Sequence, residues 1–319
     1  MIVKVRRSSI FRVLACGYAI VLSLPSIQSY FLASSNSSAI LDRVAVESFV
    51  FTGNFVSIFA SLTLALPYFI DLYILSHFDV GGVNLILIFT QIVVVSWFFA
   101  NCTNLETFLL KSFLILPTCL MIFGSSNKEM YSVFALTIFM VNINAKSSHF
   151  AEVRYLWPVY TYAVFFRPYY LVLAAGLKLN RPVFCVILVA CFFLSAIYIS
   201  ALSPMLDNML NRRSLPQSFE ANSAIMQTYV VTDFSSFFLN LGESVLNTCL
   251  PVFHELSAKN FLLQVYVLCI LLIAFVSHSN LVRSIFSLWL VFILIDPDLG
   301  TFFRHIGALF PLLYRVRIK

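Results

Sequence analysis

Long apolar runs dominate this chain, and polar residues gather in the short gaps between them. Clear runs occupy residues 13–33, 50–70, 83–100, 107–124, 182–203 and 260–277. Less clean ones occupy 131–144, 155–176 and 284–296, and a short one at 301–314 carries Arg304 and His305. A helix of about 17–25 apolar residues matches the hydrocarbon thickness of a bilayer. The pattern therefore predicts an all-α fold, a polytopic transmembrane helix bundle of about ten spans in one integral membrane domain over residues 1–319. The last run could equally be a re-entrant segment.

Residues 204–259 interrupt the series. They are neither Gly/Ser-rich nor charged in blocks, so they do not resemble a linker. Their second half, FSSFFLNLGESVLNTCLPVFHEL, has apolar residues at roughly helical spacing, with Phe238, Leu241, Val245 and Leu246 able to share a face. The expectation is a long outer loop carrying one or two amphipathic helices at the membrane surface.

Composition supports the lipid reading. The chain is 61% hydrophobic and 11% charged, whereas an ordinary soluble domain is about 25% charged. The net charge of +6 is mostly terminal. Lys4, Arg6, Arg7 and Arg12 precede the first run, and Arg315, Arg317 and Lys319 follow the last. Basic residues flanking apolar spans fit the positive-inside rule, which places both termini in the cytoplasm and makes nucleic acid a poor partner. With that orientation Lys128 falls on the inner side and Lys111 on the outer side. The basic, then apolar, N-terminus imitates a signal peptide but has no clean A-x-A site, so it reads as an uncleaved first helix. The seven cysteines form no C-x-x-C, and most sit in apolar runs, as small buried hydrophobes do. No phosphate loop, dinucleotide fingerprint, nucleophile elbow or H-E-x-x-H is present, so no cofactor is expected.

The chemistry-bearing candidates are arginines. Arg167 lies in VFFRPYYLVLAAG, directly before the helix-breaking Pro168. It either faces the bundle interior and binds an anion, or snorkels to an interface beside Tyr169 and Tyr170. In DPDLGTFFRHIGALFPLLYR, Asp296 or Asp298 could pair with Arg304 across a Gly300 turn, leaving Arg304 as a hairpin brace or an anion ligand. The D-x-D spacing alone makes a poor metal site, and no metal is expected. Arg154, between Glu152 and Trp157, either anchors at an aromatic belt or lines the same outer cavity. Arg212 and Arg213 form a basic pair in the long loop. Several arginines on one membrane face suggest a diphosphate, because the guanidinium fork grips phosphate bidentately and keeps its charge. Glu152, His254, Glu255 and His305 are among the residues able to act as a base, and the sequence does not choose between them.

These features together resemble a bacterial surface-polysaccharide polymerase of the Wzy, or O-antigen polymerase, type. The likeness lies in the many apolar runs, the abundant phenylalanine, the large late loop, the scattered arginines, and the closing G-T-F-F-R-H followed by proline. The resemblance implies a glycosyltransferase of the bacterial inner membrane, multi-pass, contributing to O-antigen, lipopolysaccharide or capsule biosynthesis. It implies polymerisation of lipid-linked oligosaccharide repeat units on the periplasmic face, from a polyprenyl-diphosphate-linked donor and without metal. Arg154, Arg167 and Arg304, with Arg212 and Arg213, would then neutralise the departing diphosphate. Partners implied are the lipid-linked oligosaccharide, membrane lipid, and chain-length regulator or flippase proteins. A transporter or flippase for a lipid-linked glycan or anionic solute is the competing reading, weakened by the missing internal repeat.

Overall fold

A computed structural model describes residues 7–24, 73–80, 83–123, 128–146, 155–167, 170–178, 234–253, 258–276 and 299–315, with a few single positions between them. Among these, the helices are α1 (Arg7–Leu22), α2 (Leu85–Phe98), α3 (Leu105–Met121), α4 (Lys128–Lys146), α5 (Trp157–Phe165), α6 (Tyr170–Lys178), α7 (Phe234–Cys249), α8 (Ala258–Val276) and α9 (Leu299–Gly307). Strands β1 (Asp79–Val80) and β2 (Val83–Asn84) pair antiparallel, with Asp79 opposite Asn84. Short 3-10 turns occupy Leu75–Phe78, Pro251–Phe253 and Phe310–Leu313.

The helical content follows the sequence pattern, but the ten-span bundle does not. No helix among the described residues is long and apolar enough to cross a membrane. The apolar runs break where polar residues or proline interrupt them. The run at 83–100 becomes β2 followed by the 14-residue α2, only about 21 Å of helix against about 30 Å of hydrocarbon. The run at 107–124 becomes the 17-residue α3, which contains Lys111 and Pro117. The run at 155–176 divides into α5 and α6, nine residues each, because the chain leaves the helix at Phe166 and Arg167 before Pro168. The run at 301–314 becomes the nine-residue α9 and a 3-10 turn. The longer α4 opens on Lys128 and Glu129 and closes on Lys146. In α8, Lys259, Asn260 and Gln264 interrupt the first two turns. The runs at 50–70 and 182–203 lie outside the described residues.

The chain divides into two compact units. One comprises Met1–His149, Arg154–Pro168 and Ile306–Lys319, the other Phe150–Val153 and Tyr169–His305. In the first, side-chain caps set the helix starts. Asn84 accepts from the Leu87 N–H at 3.2 Å to open α2, and Asn104 accepts from the Thr107 N–H at 3.1 Å to open α3. Helix α1 packs against α2 and α3. Ala15 and Ala19, one turn apart on α1, are fully buried, and their small side chains suit close approach of helices. Gln91 and Ser23 bond each other across α2 and the end of α1 at 3.1 Å, which satisfies two buried polar side chains.

The aromatic centre of this unit gathers residues distant in sequence. Phe98 and Phe310 meet edge to face at 4.9 Å, and Trp97 stacks on Tyr314 at 4.3 Å. The Thr118 hydroxyl donates to the Gly307 carbonyl at 2.7 Å. Gly307 allows that approach, because a Cβ there would stand 3.1 Å from Pro117 Cβ and 3.3 Å from the Thr118 nitrogen. In the second unit, α7 and α8 pack against each other and against the Pro251–Phe253 turn between them. The Gln264 amide donates to the Cys249 carbonyl at 2.8 Å, joining the start of α8 to the end of α7.

Candidate functional site

The first unit holds one arginine from the sequence analysis in a defined setting. Helix α5 ends as the Phe166 and Arg167 N–H groups both donate to the Tyr162 carbonyl, at 2.9 and 3.2 Å. This bifurcated close turns Arg167 off the helix end. Helix α4 begins opposite, with Glu129 in its first turn, where the helix dipole favours a carboxylate. Arg167 Nη2 donates to Glu129 Oε1 at 3.0 Å. The glutamate side chain is fully buried while the arginine side chain keeps 21% of its surface exposed. The pair thus has an inner anchor and an outer cation.

Aromatic rings flank this corner. Phe166 stacks between Tyr131 and Tyr162, at 4.9 Å and 17° to the first and 5.4 Å and 13° to the second. Tyr131 lies two residues past Glu129 on α4, so packing of α4 against α5 assembles the ion pair and the ring stack together. Glu129 is a positioning group, since burial keeps it from meeting a bulky substrate directly. Arg167 is the more exposed member of the pair.

The other candidates fall differently. Arg304 and His305 lie in the last turn of α9, at 9% and 1% exposure. Neighbouring Phe302 and Phe303 pack near Trp289 and Tyr266, at 5.8 and 6.2 Å between centroids. Arg154, Arg212, Arg213, Glu152, His254 and Glu255 lie outside the described residues, as do Asp296 and Asp298. Among the described residues, no group of three or more His, Cys, Asp or Glu could hold a metal ion.

Two charged residues escaped the sequence analysis as site candidates. Glu129 is not among the sequence candidates, although an acid opening a helical run is a first-turn signal. Lys111 was assigned to the outer end of a run, yet it is fully buried. Its ammonium donates to the Phe98 carbonyl at 2.7 Å and the Tyr314 carbonyl at 3.0 Å. It also lies over the Phe98 and Tyr314 rings at 4.7 and 5.1 Å. The Phe98 carbonyl belongs to the negative end of α2, which favours a cation there. Burial pushes the nearby Cys102 thiol up, and the Lys111 charge opposes that shift. A lysine enclosed in this way serves as a structural tie.

Comparison of the chain with protein-family models, with curated proteins and with solved structures gives no match.

Proposed function

We propose that this protein is a glycosyltransferase of the bacterial inner membrane that polymerises lipid-linked oligosaccharide repeat units into a surface polysaccharide on the periplasmic face. The observation that carries the reading is the partly exposed Arg167 side chain, paired with buried Glu129 beside the Tyr131–Phe166–Tyr162 stack. The donor is a sugar joined through its anomeric carbon to polyprenyl diphosphate. The bond from that carbon to the diphosphate oxygen breaks, and a hydroxyl oxygen of a second repeat unit bonds to the same carbon. The hydroxyl proton passes to a general base, drawn from Glu152, His254 and Glu255. The leaving diphosphate takes the bonding electron pair, and Arg167 stabilises the charge that develops on it. Arg154, Arg212, Arg213 and Arg304 are the further cations of this reading, and no metal takes part.

The test replaces Arg167 with Ala or Lys in cells that make the polymer. Arg167→Ala should leave single repeat units on their lipid while the protein still accumulates. Arg167→Lys should restore only part of the polymer, because an ammonium lacks the bidentate fork. Full-length polymer from Arg167→Ala refutes the reading. Glu129→Gln should raise KM for the lipid-linked donor more than it lowers kcat, as expected of a residue that aims Arg167. Flux of unpolymerised lipid-linked glycan across the membrane, with no new glycosidic bond, would support the transporter reading instead.

A further inference from the structure

The chain rejoins the first unit at Ile306. From there to Tyr314 it lies deep in that unit. Ala308, Leu309, Phe310, Leu312 and Leu313 keep 5% of their surface or less. Yet its backbone bonds are local. The Leu309, Leu312 and Tyr314 N–H groups donate to the Ile306, Leu309 and Pro311 carbonyls, at 3.1, 3.0 and 3.1 Å. Among the described residues, no backbone bond joins the segment to another element. Its departure would break neither a helix nor a sheet.

Two side chains of α3 hold the segment instead, one at each end. The Lys111 ammonium donates to the Tyr314 carbonyl at 3.0 Å, and the Thr118 hydroxyl donates to the Gly307 carbonyl at 2.7 Å. Lys111 and Thr118 stand two turns apart on one face of α3. The segment therefore runs antiparallel to that helix and is clipped at both ends. Between the clips, Phe310 meets Phe98 and Phe123 edge to face at 4.9 and 6.3 Å, and the Phe310–Leu313 turn packs on α4.

The rest of the unit does not hang on this segment. Helix α1 packs on α2 and α3, and Phe11 stacks on Phe108 at 5.1 Å. Lys111 would keep the Phe98 carbonyl at 2.7 Å and the Phe98 ring at 4.7 Å, with water taking the place of Tyr314. A part held by few, separable contacts opens before the whole does. We infer that Gly307–Tyr314 is a strap that opens and closes as one piece, with Lys111 and Thr118 as the two catches that hold it shut. The inference rests on packing within the first unit and is independent of the glycosyl-transfer reading.

The experiment follows thiol labelling in the full chain, in mild detergent. Ala308→Cys and Leu312→Cys are made separately, and mass spectrometry of the digested protein reads maleimide uptake at each cysteine. The first substitution fills its site and the second loosens it, so one packing fault cannot shape both results. Cys119 is the internal reference, fully buried on α3 and within electrostatic reach of Tyr18 on α1. Each rate is divided by its value in the unfolded chain. Both introduced thiols should label at least about tenfold faster than Cys119, with a shallower dependence on urea, because a local opening exposes less surface. Thr118→Val and Lys111→Met, each added to the Ala308→Cys chain, should speed labelling at position 308 by about fivefold, the effect of one lost hydrogen bond. Equal rates and equal urea dependence at the introduced thiols and Cys119 would overturn the inference, because the unit would then open only as a whole. Fast labelling at one of the two positions alone would overturn it too, since the segment would not move as one piece. So would labelling that neither catch substitution changes.

Discussion

The centre of the first unit and helix α7 solve opposite problems. Around Lys111, aromatic rings enclose a full positive charge, and two backbone carbonyls take the place of water. In α7, Asn240, Ser244 and Thr248 are enclosed while Phe238, Leu239 and Leu246 are displayed. The first arrangement is a dense core with a costly ion at its heart. The second is a modest polar seam with an apolar exterior. Burial of polarity is therefore not a single signal. A buried cation demands converging acceptors from distant segments, whereas buried amides and hydroxyls can be met by neighbours one turn away or by a nearby loop.

The largest effect is expected where the ion is. Lys111→Ala should cost about 3 kcal/mol or more, through the cavity it opens and the carbonyls it strands, read as a fall in thermal stability. Lys111→Met keeps most of the volume and should cost less, about 1–2 kcal/mol. If both variants melt like the parent, the aromatic centre does not depend on its ion. Asn240→Leu comes next, at about 1–2 kcal/mol, since it removes both side-chain bonds to the Tyr229 backbone. A neutral result in denaturant titration would show that the polar seam of α7 is wet. Thr118→Val removes the hydroxyl bond to Gly307 at nearly constant volume and should cost about 1 kcal/mol. The smallest effect belongs to the exterior. Leu246→Ser should change unfolding in detergent by less than about 0.5 kcal/mol, and a larger loss would mean that Leu246 is part of a protein core.

Much of this contrast was hidden in the sequence for a physical reason. Apolar runs report which residues avoid water, but not whether lipid or protein takes its place. The run at 107–124 reads as a span until Lys111 finds acceptors at Phe98 and Tyr314 and the segment becomes a core helix. The run at 155–176 held its own warning in Arg167–Pro168, and the break falls there. A helix was legible in FSSFFLNLGESVLNTC, because Phe238, Leu241, Val245 and Leu246 recur at helical spacing. Which side would be buried was not, because Asn240, Ser244 and Thr248 follow the same period on the other face. Arg167 was legible as a candidate by its type and place. Glu129 was not, because the ion pair joins residues 38 apart in sequence.

The tie at Lys111 also imposes an order on biosynthesis. One of its two acceptors is the carbonyl of Tyr314, 203 residues downstream. While the ribosome is still adding the intervening chain, the ammonium has nothing to replace its hydration shell on that side. Helices α2 and α3 can form early, but they cannot seal around it. The nascent N-terminal segments must therefore wait, loosely associated, for the arrival of residue 314 to dehydrate the lysine and lock the knot.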